Sequence, residues 1–197
     1  MNQHIQHGAA ALALLFSTIT AAHATSQAFL LDGAHEDPPN ASTGIGAAVI
    51  DFDELMHRLQ VTVAYGGLAG TTTAAHIHCC TASPGSGSAP VATQLPSLLG
   101  FPLGGHSGAY SHMFDTSLAS SWNPAFIAGH GGTTAGAEAA LMSGLTTGEA
   151  YLNIHSDAYP DGEIRGFVSA PPVPEPGGLA MLAAGLPVML LARRRRS

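Results

Sequence analysis

The stretch Leu59-Gln60-Val61-Thr62-Val63-Ala64-Tyr65 alternates, with Leu59, Val61, Val63 and Tyr65 on one side and Gln60 and Thr62 on the other. Residues two apart share a face in an extended chain, so this is a strand with one packed and one wet face, as an antiparallel sheet requires. Six further stretches have strand character: Ala28–Leu31, Ile45–Phe52, Ala74–His78, Ala109–Phe114, Ala150–His155 and Glu163–Val168. Turn chemistry separates most of them. Pro160-Asp161-Gly162 fixes one φ and follows it with turn-tolerant residues, which makes the last two strands a hairpin or a close antiparallel pair. The one good helix candidate is Ala135–Met142, rich in alanine and carrying Glu138. Pro84–Pro90 reads as a Gly/Ser loop and Ser117–Pro124 as a second irregular region. The expected fold class is all-β, antiparallel, with one short helix.

Composition narrows the function classes. Of 197 residues, the apolar ends, Met1–Ala24 and Glu175–Ser197, are set apart from a middle of about 150, the size of one domain with a real core. The net charge is −7, but four of the six basic residues are Arg193–Arg196. The middle holds twelve acids against Arg58 and Arg165, which is −10 with no lysine. Such a body repels phosphate backbones, so nucleic acid is excluded as a partner. The missing lysine also excludes a P-loop and Schiff-base chemistry. Twenty-four glycines and thirteen prolines without a long amphipathic pattern oppose a helical bundle. Nucleophilic catalysis has little support, since no Gly-x-Ser-x-Gly elbow is present and Ser107 merely adjoins His106 in a glycine-rich loop.

The ends read as addresses. Ala9–Phe16 is an unbroken small-and-apolar run, and Ala22-His23-Ala24 supplies the small side chains that signal peptidase admits. Residues 1–24 are therefore expected to be a secretory signal peptide, with cleavage leaving Thr25 first. Its n-region has no lysine or arginine. At the other end, Val173-Pro174-Glu175-Pro176 precedes the sixteen uncharged residues Gly177–Ala192 and then Arg193, Arg194, Arg195 and Arg196. Crossing hydrocarbon takes about 20 residues, so this segment is short, and Pro187 weakens it. The arginines keep that end cytoplasmic while the domain is exported. The order Pro-Glu-Pro, apolar segment, basic cluster resembles a PEP-CTERM sorting signal of Gram-negative bacteria. That resemblance implies a transient inner-membrane anchor over residues 171–197, recognition by an exosortase, cleavage near Pro174-Glu175-Pro176, and delivery to the envelope or an extracellular polysaccharide matrix. The rival is a simple tail anchor.

Three pieces of the middle carry a second resemblance: Leu31-Asp32-Gly33-Ala34-His35-Glu36-Asp37-Pro38-Pro39 followed by Gly44 and Gly46; Ala75-His76-Ile77-His78; and Gly148–Ser156 continuing through Tyr159-Pro160-Asp161-Gly162 to Glu163-Ile164-Arg165-Gly166. In this order they resemble the CHRD domain, the module named after chordin, over about Phe29–Val168 of an expected domain 25–170. The resemblance implies an immunoglobulin-like or superoxide-dismutase-like antiparallel β-sandwich and adds no established reaction. Animal members occur in a protein that binds growth factors, and bacterial members are secreted. The chain departs from the family pattern at His35, where glutamine is usual, and at Cys79-Cys80, where a glycine is common.

Within their strands His76 and His78 point together, and Tyr151, Asn153 and His155 share a face. If the two strands are neighbours, three imidazoles converge. Such a set suits copper or zinc, with a fourth position for His35, a carboxylate or water. The alternative is that these histidines bond to Asn153, Glu163 or backbone and fix the sandwich end. His57, His106, His112 and His130 read as surface or loop residues. Glu163 and Arg165 share a face, so an ion pair with each other or with a neighbouring strand is expected, and Arg165, one of two arginines in the body, reads as partly buried. Glu36, before Pro38-Pro39, is expected to cap or brace the first strand, and Gly162 belongs to the turn. Adjacent Cys79 and Cys80 leave open a strained vicinal bridge, intermolecular bridging or thiolate ligation beside His78. The expected function is an exported, non-enzymatic CHRD-domain protein with a binding or structural role, its partners an extracellular polysaccharide or another envelope protein. The alternative is a copper/zinc redox protein on a dismutase-like sandwich.

Overall fold

The computed structural model describes residues 24–168; the expected signal peptide, residues 1–24, lies outside the described residues but for Ala24, as do the motifs at Pro174, Glu175, Pro176 and Arg193–Arg196. All seven expected strands are present: β1 (Ala24–Asp32), β2 (Ile45–Asp53), β3 (Arg58–Gly66), β4 (Thr72–His78), β5 (Gly108–Asp115), β6 (Tyr151–Ser156) and β7 (Ile164–Phe167). They form one antiparallel sheet in the order β4-β6-β7-β1-β2-β3-β5. The sheet has two well-registered parts. β1, β2, β3 and β5 pair along their full lengths, as do β4, β6 and β7 over shorter ones. The parts meet at a single registered pair, Asp32 with Arg165. Gly166 lies beside this seam because a Cβ there would overlap the Leu30 carbonyl oxygen.

Alternation fixes which side packs. Phe29, Leu31, Ala48, Ile50, Phe52, Leu59, Val61 and Val63 turn inward from the first part, and Ala75, Ile77, Leu152, Ile154 and Ile164 from the second. Leu98, Trp122, Phe126, Leu141 and Leu145 fill the space between. Thr62 and Gln60 stay on the outer face, as the opening heptapeptide predicts, and hydrogen-bond there to Ser111.

The helical content exceeds the single short helix expected. α1 (Pro124–Gly129) escaped notice because six residues carry no periodicity, although Asn123 caps it and Pro124 opens it. α2 runs over Thr134–Thr147, six residues longer than the alanine-rich stretch, capped by Thr133 and stopped by Gly148 at φ 78°. Its Glu138 is buried, accepting from the Thr116 hydroxyl and lying 2.8 Å from His57 Nδ1, so His57, exposed as expected, also anchors the helix. Among the described residues no helix is long and apolar enough to cross a membrane.

Cys79 and Cys80 form the vicinal bridge. Both sulfurs lie near the Ala140 carbonyl of α2, where a Cβ at Gly144 would overlap them. The thiolate and intermolecular alternatives therefore fall away.

Glu163 is fully buried just before β7 and does not pair with Arg165; of the two alternatives, Arg165 takes a carboxylate from elsewhere in the chain, Glu36. It accepts instead from Ser42 Oγ at 2.6 Å, from the Ala69 amide and from the Gly70 amide at 3.2 Å. Burial alone would raise its pKa, but hydrogen bonds from Ser156, Ser42 and the two amides outweigh it and hold the group below the usual carboxylate range. Its contribution is therefore present above about pH 4.5 and lost as pH falls below that value. Glu163→Ala, which strands two amides, is expected to cost about 3 kcal/mol at pH 7, read as a lowered urea midpoint with an unchanged slope.

Candidate metal centre

The centre is built on one face of β4, β6 and β7. Register places His76 opposite Asn153 and Asn153 opposite Arg165; the next row is His78, Tyr151 and Phe167, and His155 lies opposite Ala74. The other face of the same strands is apolar core, so this face is free to carry polar side chains. Two segments cover it. One is a strap, Ala89–Leu98, which occupies the open edge of β4: the Ala92 amide donates to the Ile77 carbonyl at 2.9 Å, Leu98 to Ala75 at 2.9 Å, and Thr93 Oγ1 accepts from the Ile77 amide at 3.0 Å. The other is the β6–β7 turn.

These coverings hold the three imidazoles. His76 Nε2 donates to the Pro96 carbonyl at 2.9 Å, His78 Nδ1 to the Ala89 carbonyl at 2.8 Å and His155 Nδ1 to the Pro160 carbonyl at 2.9 Å. A carbonyl oxygen only accepts, so each ring carries its proton on that nitrogen. The second nitrogens, His76 Nδ1, His78 Nε2 and His155 Nε2, keep lone pairs; all three are buried and none has a hydrogen-bond partner. One ligand atom from each ring lies within 4.8 Å of the other two. A buried polar atom without a partner is costly, and three facing one another form a donor set for a cation. A backbone acceptor on the far nitrogen is also the support that fixes the ring of a metal-binding histidine.

Electrostatics keep the donors available. Burial, aided by His155 and opposed by the Pro96 hydrogen bond, lowers the His76 pKa to about 4. Burial likewise takes His78 down to about 4, against the pull of the Ala89 carbonyl, and moves His155 downward. All three are neutral at pH 7. The ring of His78 stacks on Tyr151 at 4.7 Å, and the Arg165 guanidinium covers Tyr151 at 4.7 Å and Phe167 at 5.2 Å.

Of the other residues singled out, Glu36, Asn153, Gly162 and Arg165 come together next to the imidazoles. Arg165 is buried, donates to the His35 carbonyl and faces Glu36 Oε2 at 3.8 Å. Asn153 Nδ2 donates to the same carboxylate oxygen at 3.4 Å. A Cβ at Gly162, whose φ is 139°, would overlap both Asn153 and Glu36, which is why glycine stands there. Burial raises Glu36 to about 7 despite the guanidinium and the Asn153 hydrogen bond. His35 does not join the centre: its ring is exposed and its Nδ1 lies 2.7 Å from Asp32 Oδ1. What the sequence reading missed is the role of Ala89, Pro96 and Pro160, which act through backbone carbonyls and leave no trace in residue type.

The fold is that of an all-β module with one sheet face closed over buried polar side chains. The CHRD domain model matches residues 27–168, more than half of the chain, and the protein belongs to that family. No curated protein and no solved structure matches it.

Two outcomes test the electrostatics. In a histidine-detected NMR titration, His76 and His78 should take up protons near pH 4, two units or more below an exposed imidazole. Because the folded pKa of Glu36 is raised, its ionisation opposes folding between about pH 4.5 and 7. Glu36→Gln should therefore gain stability relative to the parent as pH rises through that window; a difference independent of pH would contradict this.

Proposed function

We propose that this chain is an exported CHRD-domain protein that acts by binding rather than by catalysis, and that its binding centre takes one first-row transition-metal ion, copper or zinc, on His76, His78 and His155. The observation carrying this reading is the convergence of three buried imidazole nitrogens, each without a partner and each fixed from behind by a backbone carbonyl. Imidazole suits these ions. The family match supports an extracellular type of domain. Export by the segment 1–24 and signal peptidase, a transient membrane anchor over 171–197, exosortase processing at Pro174-Glu175-Pro176 and residence in the envelope or its polysaccharide matrix are parts of the same proposal, supported by the order of those motifs. β1 pairs from Ala24 onward, so cleavage after that residue would leave the remaining strand pairs in place.

A redox role on the same centre is the second reading, favoured by imidazole ligands that copper shares. Against a copper/zinc dismutase centre in particular, the cluster brings together three histidines and no aspartate among the described residues.

Metal analysis of the protein recovered from its native host should find one equivalent of copper or zinc, lost in His76→Ala. A metal-free protein of unchanged stability would remove the reading. Superoxide turnover that vanishes with the metal would replace binding by catalysis. Glu175→Ala should accumulate an uncut, membrane-associated form, and normal release of that variant would contradict the processing step.

A further inference from the structure

Resting on the metal-binding reading above, we infer that the three-histidine centre is built for Cu(I), held by three nitrogens alone, in preference to Zn(II) or Cu(II).

The first argument is the count of ligands. The cluster contains three histidines and no other His, Cys, Asp or Glu among the described residues. The sulfurs of Cys79 and Cys80 are bridged to each other and packed against α2, so they add no ligand to this count. His35 is turned outward to Asp32. The three donor atoms are buried, and no fourth protein donor stands with them among the described residues. Zn(II) favours four ligands, three from protein plus an open water position when it is catalytic. Cu(I), a d10 ion without a strong demand for a fourth ligand, is satisfied by three.

The second argument is charge. The donors are neutral imidazoles. The nearby carboxylate, Glu36, faces Arg165 at 3.8 Å, so this pair offers an incoming cation no net negative charge. The guanidinium itself stands one aromatic ring from the ligand His78, stacked through Tyr151. The Born cost of drying an ion grows with the square of its charge, so a dication loses about four times what a monocation loses on entering the same site. A dry, neutral donor set beside a fixed cation thus discriminates by valence. The rings are also pinned by Ala89, Pro96 and Pro160, which restricts any rearrangement that would recruit another ligand.

The test is a competition titration of the purified full chain under anaerobic conditions, with Cu(I) delivered as its bicinchoninate complex and Zn(II) followed with a chromogenic chelator. One equivalent of Cu(I) should bind with a Kd at least 1000-fold below that for Zn(II), a difference of about 4 kcal/mol in affinity. X-ray absorption should show three nitrogen neighbours and no sulfur. His76→Ala and the less buried His155→Ala should each abolish tight Cu(I) binding, while His112→Ala, on β5 away from the centre, should retain it. Circular dichroism of the two centre variants identifies any that fails to fold, and the other then decides. Zn(II) binding as tight as Cu(I), or a four-coordinate copper with an oxygen or sulfur ligand, would overturn this inference and leave the metal-binding function standing. Failure to bind Cu(I), Cu(II) or Zn(II) would overturn both.

Discussion

The architecture depends on one buried cation. Arg165 pairs through its backbone with Asp32, the one registered contact between the two parts of the sheet among the described residues, and its side chain donates to the His35 carbonyl on the far side of that seam. A guanidinium taken out of water must be paired and hydrogen-bonded or it destabilises the fold. Here Glu36 pairs with it, while Tyr151 and Phe167 offer it their ring faces. Because the rings that hold Arg165 also include the one against which His78 stacks, the join between the sheet parts and the shape of the imidazole cluster are set by the same side chain.

The second constraint is the edge of β4. An uncovered edge strand presents a row of free backbone groups that other chains can pair with. The strap Ala89–Leu98 satisfies that row without adding a regular strand, and its irregularity leaves carbonyls pointing at His76 and His78 in place of the sheet. Edge protection and orientation of the rings are two results of one segment. Its proline content suits this work, since a prolyl residue has an acceptor and no competing N–H.

Much of the fold was legible in the sequence because period-two alternation is a local property: the seven strands, the β6–β7 turn and the shared face of His76 and His78 all follow from residues a few positions apart. The convergence of His155 on that pair was legible only on the supposition that the two strands adjoin, which register confirms. Nonlocal features were not legible. The choice of Glu36 over Glu163 as partner of Arg165 depends on a contact across 129 positions, the exclusion of His35 on its bond to Asp32, and the tautomer of each ring on carbonyls of a loop whose residue types carry no pattern. The extension of α2 past the alanine-rich stretch reflects packing and caps, which outweigh propensity at helix ends.

The vicinal bridge has a consequence for how copies of this protein can associate. The chain has two cysteines in all, and each occupies the other beneath α2. No thiol is left over to exchange with a neighbour, so crowding these domains together cannot weld them into covalent polymers. Any assembly they join therefore owes nothing to cystine links between copies and would not come apart on adding a reductant for that reason.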